Sequence, residues 1–199
     1  MPDDKRGREK QARNAERRQR ERSIAEELER GDETEPPIDD DALVDVDADL
    51  ESLEFPATGS TVVEAVGDRT IDTGEERYTV ADLVPETDAE TFDSPAAVRM
   101  RIQRPTIATA MKRVIEAAET LPNTTIGNSQ RKAYETTFRE LKAIDADDDD
   151  EGIRVVADWI VEQIHDNEKV PGSRGVRRQA AEFCRANGYE IRNDEWLGI

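Results

Sequence analysis

The chain has 199 residues, with 47 Asp and Glu against 28 Lys and Arg, a net charge of −19, and only 35% hydrophobic and 5% aromatic residues. No apolar run approaches the roughly 20 residues that span a bilayer, and no charged-then-apolar leader starts the chain, so no membrane partner and a cytoplasmic location are expected. One cysteine, Cys184, excludes an intrachain disulfide and a multi-Cys metal cluster, and a single histidine, His165, argues against a His-rich catalytic or metal site.

Residues 5–30 are rich in Arg, Glu, Gln and Ala, all good helix formers. Glu9–Arg13, Glu16–Arg20 and Glu26–Arg30 are spaced to pair across one helical turn. Apolar residues are nearly absent before Ile24, so residues 1–30 read as a basic arm that is helical only conditionally. Residues 31–54, with Pro36-Pro37 and Asp39-Asp40-Asp41, read as an acidic, disordered linker. The folded domain is expected over 55–199, as a small α/β subregion (55–95) and a helical core (96–199). Thr61 and Glu64 have capping-box spacing, and Gly67 can end that short helix. Residues 69–72 and 77–80 flank Thr73-Gly74-Glu75-Glu76 and predict a hairpin. A single helical turn is expected over 80–84, before Pro85.

From Ser94 the helical rhythm is stronger. Asp93 or Ser94 caps a helix with Pro95 at its first position and Val98 and Ile102 on its apolar side. Pro105 starts a second, in which Ile107, Met111, Val114, Ile115, Ala118 and Leu121 follow helical spacing. Asn128 or Ser129 opens a third, with Tyr134, Phe138 and Leu141 on one stripe. Gly152 precedes a fourth, with Ile153, Val156, Ile160 and Ile164 on its apolar face and Trp159 beside it. Ser173 caps a fifth, with Val176, Ala180, Phe183 and Cys184 inward and Gly188 as its stop. An extended segment over 189–192 follows, and Trp196, Leu197 and Ile199 are expected to pin the tail to the core. The fold class is therefore mainly α: about five helices and a small β-hairpin behind an N-terminal arm.

The acidity has two explanations. Low hydrophobicity with high charge can signal disorder. Adaptation to a cytoplasm of molar salt is the other, because the Debye length there falls to roughly 3 Å and carboxylate self-repulsion is screened. The basic residues are 22 Arg and only 6 Lys, a pattern that goes with halophily, and the helical periodicity is one that disorder has no need of. Disorder is then local. The charge is also uneven: residues 1–22 hold nine basic and five acidic residues, residues 23–54 one and fourteen, and residues 96–144 nine and four.

Three strings carry a resemblance: FPATGSTVVEAVG (55–67), YTVADLVP (78–85) and TFDSPAAV (91–98). A Phe-Pro start, a Val-Val helix and a Ser-Pro-x-x-Val helix in this order resemble an uncharacterised family of small acidic haloarchaeal proteins. RPTIATAMKRV and NGYEIRNDEWLGI look like a haloarchaeal extension of the same type. The resemblance implies a haloarchaeal source. It carries no activity and assigns no site residue.

Arg99, Arg101, Arg104, Lys112 and Arg113 fall within fifteen residues that contain no acid. Clustered guanidinium and ammonium groups bind phosphate backbones, and Arg forks onto phosphate oxygens bidentately. The competing reading is that these side chains pair with acids of the same domain or of the 31–54 segment. The basic arm has the same two readings, contact with RNA, DNA or ribosome against plain solvation. Arg174, Arg177 and Arg178 lie near the start of the fifth helix, behind a connection containing Pro171-Gly172. That permits a helix-turn-helix as well as a plain helical hairpin. Asp147-Asp148-Asp149-Asp150-Glu151-Gly152 matches the start of a calcium loop, but Arg154 and Asp158 stand where an apolar residue and Glu are usual, so an acidic loop before a helix is favoured. His165 and Cys184 are expected to be a helix-end histidine and a core thiol rather than a catalytic pair. No phosphate loop, nucleophile elbow or dinucleotide fingerprint is present. The sequence therefore predicts no cofactor, no metal and no enzyme activity. Two functions are expected to compete: a nucleic-acid- or ribosome-associated accessory protein, and an adaptor docking a protein partner through arm and linker.

Overall fold

A computed structural model describes residues 38, 40–74, 76–122, 124–144 and 149–189. The arm over 1–30 and the tail segment 190–199 lie outside the described residues. Two apolar cores form, and one helix serves both.

The first core begins earlier than the sequence suggested. Residues 31–54 were expected as a solvated linker, yet a 3-10 turn at Asp40–Leu43 leads into α1 (Val44–Leu50). Leu43, Val46 and Leu50 are fully buried, at the i, i+3, i+7 spacing of one helical face. Asp45, Asp47 and Asp49 stand among them, which hides the pattern in a composition count. After β1 (Ala57–Thr58) comes α2 (Gly59–Val66). Its cap is Thr58, not Thr61: the Thr58 side chain accepts from the Thr61 backbone N–H at 3.2 Å. Gly67 ends the helix as expected.

The hairpin forms where its turn residues placed it. β2 (Thr70–Asp72) and β3 (Arg77–Thr79) pair antiparallel, with Ile71 opposite Tyr78. Gly74 takes a positive φ of 85°, and its N–H donates to Asp72 Oδ1 at 2.9 Å. α3 (Val80–Leu83) carries a full capping box, with Thr79 and Asp82 satisfying each other's backbone N–H groups. β4 (Thr91–Phe92) returns to pair antiparallel with β1.

α4 (Pro95–Ile102) is capped by Ser94, whose hydroxyl accepts from Ala97 N–H at 3.3 Å, and Pro95 takes the first turn where its missing N–H costs nothing. α5 (Pro105–Glu119) then runs between the cores: Ala108 packs into the first, and Ile107, Met111, Val114 and Ile115 into the second. α6 (Asn128–Lys142), α7 (Glu151–Asn167) and α8 (Ser173–Asn187) complete the second core around Tyr134, Phe138, Ile160, Ile164 and Phe183. α5 packs on α6 and α7, and α8 covers both of those. All five helices expected from Ser94 onward are present. The fold is mainly α, as expected, with three shorter helices before them and two small two-stranded sheets among the described residues. α8 is entered from Gly172 rather than capped by Ser173, and Gly188 closes it with φ 74°.

Candidate functional site

The basic segment of 99–113 is spread over α4 and α5, and helical geometry disperses it. Arg99 and Arg101 are two residues apart, so they leave α4 about 200° apart. The Arg99 guanidinium donates through two nitrogens to Asp47 of α1. Arg101 turns inward: its side chain is 10% exposed and ion-pairs with Glu90 at 2.7 Å and Glu135 of α6 at 2.8 Å. Glu90, 3% exposed, also has Arg131 Nη1 at 3.8 Å, while Arg131 Nη2 donates to the Ala89 carbonyl at 2.6 Å. Arg104 donates to the Met100 carbonyl at 3.0 Å. Lys112 donates to the Val84 carbonyl at 3.2 Å and pairs with Glu116 at 2.8 Å. Arg113 pairs with Asp158 of α7. The segment is thus not one cationic face. Each charge is placed on a group of the same domain.

The arginines of α8 are placed differently. Tyr134 and Gln130 of α6 both donate to the Pro171 carbonyl, which pins the connection from Glu168 to Gly172 and sets where α8 begins. Burial raises the Tyr134 hydroxyl pKa to about 12, so it stays a proton donor across the ordinary pH range. α8 then buries Val176, Ala180, Phe183 and Cys184. Its 3.6-residue period puts Arg174, Arg178 and Arg185 within about 40° of one another on the outer side. All three are exposed, and no carboxylate among the described residues pairs with them. Arg177 is half-buried and engaged elsewhere.

The side chain of Trp159 of α7 reaches the same helix. It is half-buried, and its Cη2 lies 3.8 Å from the position a Cβ would take on Gly175. A Cβ at 175 would be in ordinary van der Waals contact with the indole edge, so α8 passes close beside Trp159.

The remaining candidates stay apart from this face. Asp150 is held by Lys142 at 2.7 Å and by the Thr106 hydroxyl at 2.9 Å. Asp147 and Asp148 of the calcium pattern lie outside the described residues, among which no group of three or more metal-ligating side chains occurs. His165 is exposed and Cys184 buried. The sequence did not single out Asp47, Glu90, Arg131 or Glu135, because nothing local distinguishes the acid that an arginine will meet 34 or 52 positions away.

No described helix is long and apolar enough to cross a membrane. Residues 42–114 match the family described as "Family of unknown function (DUF5789)", and that span contains the first core, from Leu43 to Ala108. Residues 1–58 match the family "Halobacterial acidic protein". No curated protein and no solved structure matches the chain. The chain is thus similar to a halobacterial acidic protein family over residues 1–58 and to a family of unknown function over residues 42–114.

Proposed function

We propose that this is a non-enzymatic, cytoplasmic accessory protein that contacts nucleic acid, free or within the ribosome, through the outer face of α8. One observation carries the reading: Arg174, Arg178 and Arg185 stand in one exposed row without a described acidic partner, in a chain with 47 acids available. Arg99, Arg101, Lys112 and Arg113 have found such partners, whereas the α8 row gathers three open arginines on one helix face. Guanidinium groups on one helix face suit the oxygens of successive phosphates. The 99–113 segment then supports the fold that presents α8, rather than forming the contact itself.

The test is purification from high-salt lysate, with and without nuclease, of the wild-type chain, the triple reversal Arg174→Glu/Arg178→Glu/Arg185→Glu, and Arg113→Glu as a control. Nucleic acid should copurify with wild type and the control and be lost from the triple variant. If wild type carries none, or the triple variant keeps it, the reading is wrong. A protein partner that survives nuclease and needs residues 1–54 would replace it with an adaptor role.

A further inference from the structure

The α8 row alone poses a physical problem. Counterion release drives phosphate binding, and it weakens steeply as salt rises. With a Debye length of roughly 3 Å in molar salt, three arginines supply little affinity by charge. A contact that works there needs a component indifferent to salt. Base stacking on an aromatic ring is one.

Trp159 is placed to supply it. Its indole is half-buried against the second core, which fixes the ring, and its Cη2 edge lies beside Gly175 of α8. Gly175 follows Arg174 directly on the first turn of α8, and Arg178 lies one turn on. We infer that this end of α8 is a single-strand site: Arg174 and Arg178 take phosphates while a base unstacks onto Trp159. The inference rests on the nucleic-acid reading above and narrows it to unpaired strands. A duplex keeps its bases stacked inside and offers Trp159 no face, so it engages the arginines alone.

The chain has two tryptophans, so Trp196→Phe leaves Trp159 as the reporter. In that background, oligothymidylate and a duplex of equal length are titrated in molar KCl, and indole emission is followed together with anisotropy of the labelled strand. The single strand should quench Trp159 emission and bind about tenfold or more tighter than to Trp159→Leu, a loss that Trp159→Phe largely restores. Leucine keeps the apolar packing and removes the π-face. If Trp159→Leu does not fold, quenching in the Trp196→Phe chain decides alone. Equal binding of duplex and single strand without quenching overturns this inference and leaves the nucleic-acid reading standing. Absence of binding by either probe overturns both.

Discussion

Arg101 shows what a single buried charge commits the fold to. Its guanidinium lies between Glu90 and Glu135, so it ties the loop before β4 to α6. Taking Arg101 out leaves buried Glu90 with only the longer Arg131 pair, and breaking a buried pair typically costs about 3–5 kcal/mol. Arg101→Met is therefore expected to lose that much stability in denaturant titration at fixed KCl. Arg77→Met, which breaks an exposed, solvent-screened pair with Asp72, should lose far less. Equal losses would mean that Glu90 reaches water when Arg101 is gone. Glu119 responds in the opposite sense. Burial, then repulsion from Glu116 and Asp88, raises its carboxyl above the ordinary glutamate range. The folded state then holds this proton more tightly than the unfolded one, so stability falls as pH rises through that raised value. Glu119→Gln should be more stable than wild type at neutral pH, with the advantage shrinking on acidification in thermal unfolding scans. No gain at neutral pH would mean that solvent screens the repulsion from Glu116 and Asp88 at this exposed residue.

At the scale of elements, backbone approach and caps decide which helices form where. α2 starts against the 85–90 loop, where Gly59 N–H donates to the Glu90 carbonyl and Ser60 N–H to that of Thr87. A Cβ on Gly59 would meet the Pro85 carbonyl oxygen at 2.2 Å, and backbone cannot step aside. Gly59→Ala is expected to destabilise the first core by about 1–3 kcal/mol. Gly127→Ala, where nothing lies within 4 Å, should change stability by about 0.5 kcal/mol or less. A neutral Gly59→Ala in chemical unfolding would place the loop further from α2. α3 gives a pH signature. Asp82 accepts from the Thr79 backbone N–H and from its hydroxyl, at 2.7 Å each, which holds its carboxyl below the usual aspartate range. That contribution is present above the ordinary aspartate pKa and is lost as pH falls through the lowered one. Asp82→Asn should flatten the acid limb of the stability curve, and an unchanged limb would mean that the capping box does not persist in solution. These elements also show what the sequence discloses. Ser94 with Pro95, Pro105, Gly67 and Gly188 act through local backbone chemistry, and their helices begin and end as read. α1 was missed because Leu43, Val46 and Leu50 are its inward apolar residues among six acids in residues 40–51, so composition pointed to a linker while spacing pointed to a face. Arg174, Arg177 and Arg178 were read as candidates from order alone, and Arg185 was not singled out. That Arg174, Arg178 and Arg185 have no carboxylate partner among the described residues while Arg99 and Arg101 do depends on which helix packs beside them, and tertiary packing decides that.

For the whole molecule, the two cores share one helix. Ala108 of α5 packs with Val98 and Ile102, while Ile107 and Met111 pack with Tyr134, Phe138 and Ile160. Unfolding α5 removes a wall from both, and the Arg101–Glu135 pair crosses from one core to the other. Residues 38–189 should therefore unfold in one transition, although the first core matches a family span ending at residue 114. The net charge of −19 decides where that transition falls. Compaction forces like charges together, and the cost drops as the Debye length shrinks from about 10 Å at 0.1 M to about 3 Å at 1 M salt. The exposed pairs Arg77–Asp72 and Arg113–Asp158 weaken over the same range, but at about 1 kcal/mol or less each they cannot offset relief for so large an excess of acid. The Arg101 cluster is shielded from that screening by burial. Melting temperature should rise steadily from 0.1 M to molar KCl, with circular dichroism and tryptophan emission giving the same midpoint throughout. Two separated midpoints at any salt would show that α5 does not couple the cores, and a falling melting temperature would show that paired charges, not the acid excess, dominate the surface.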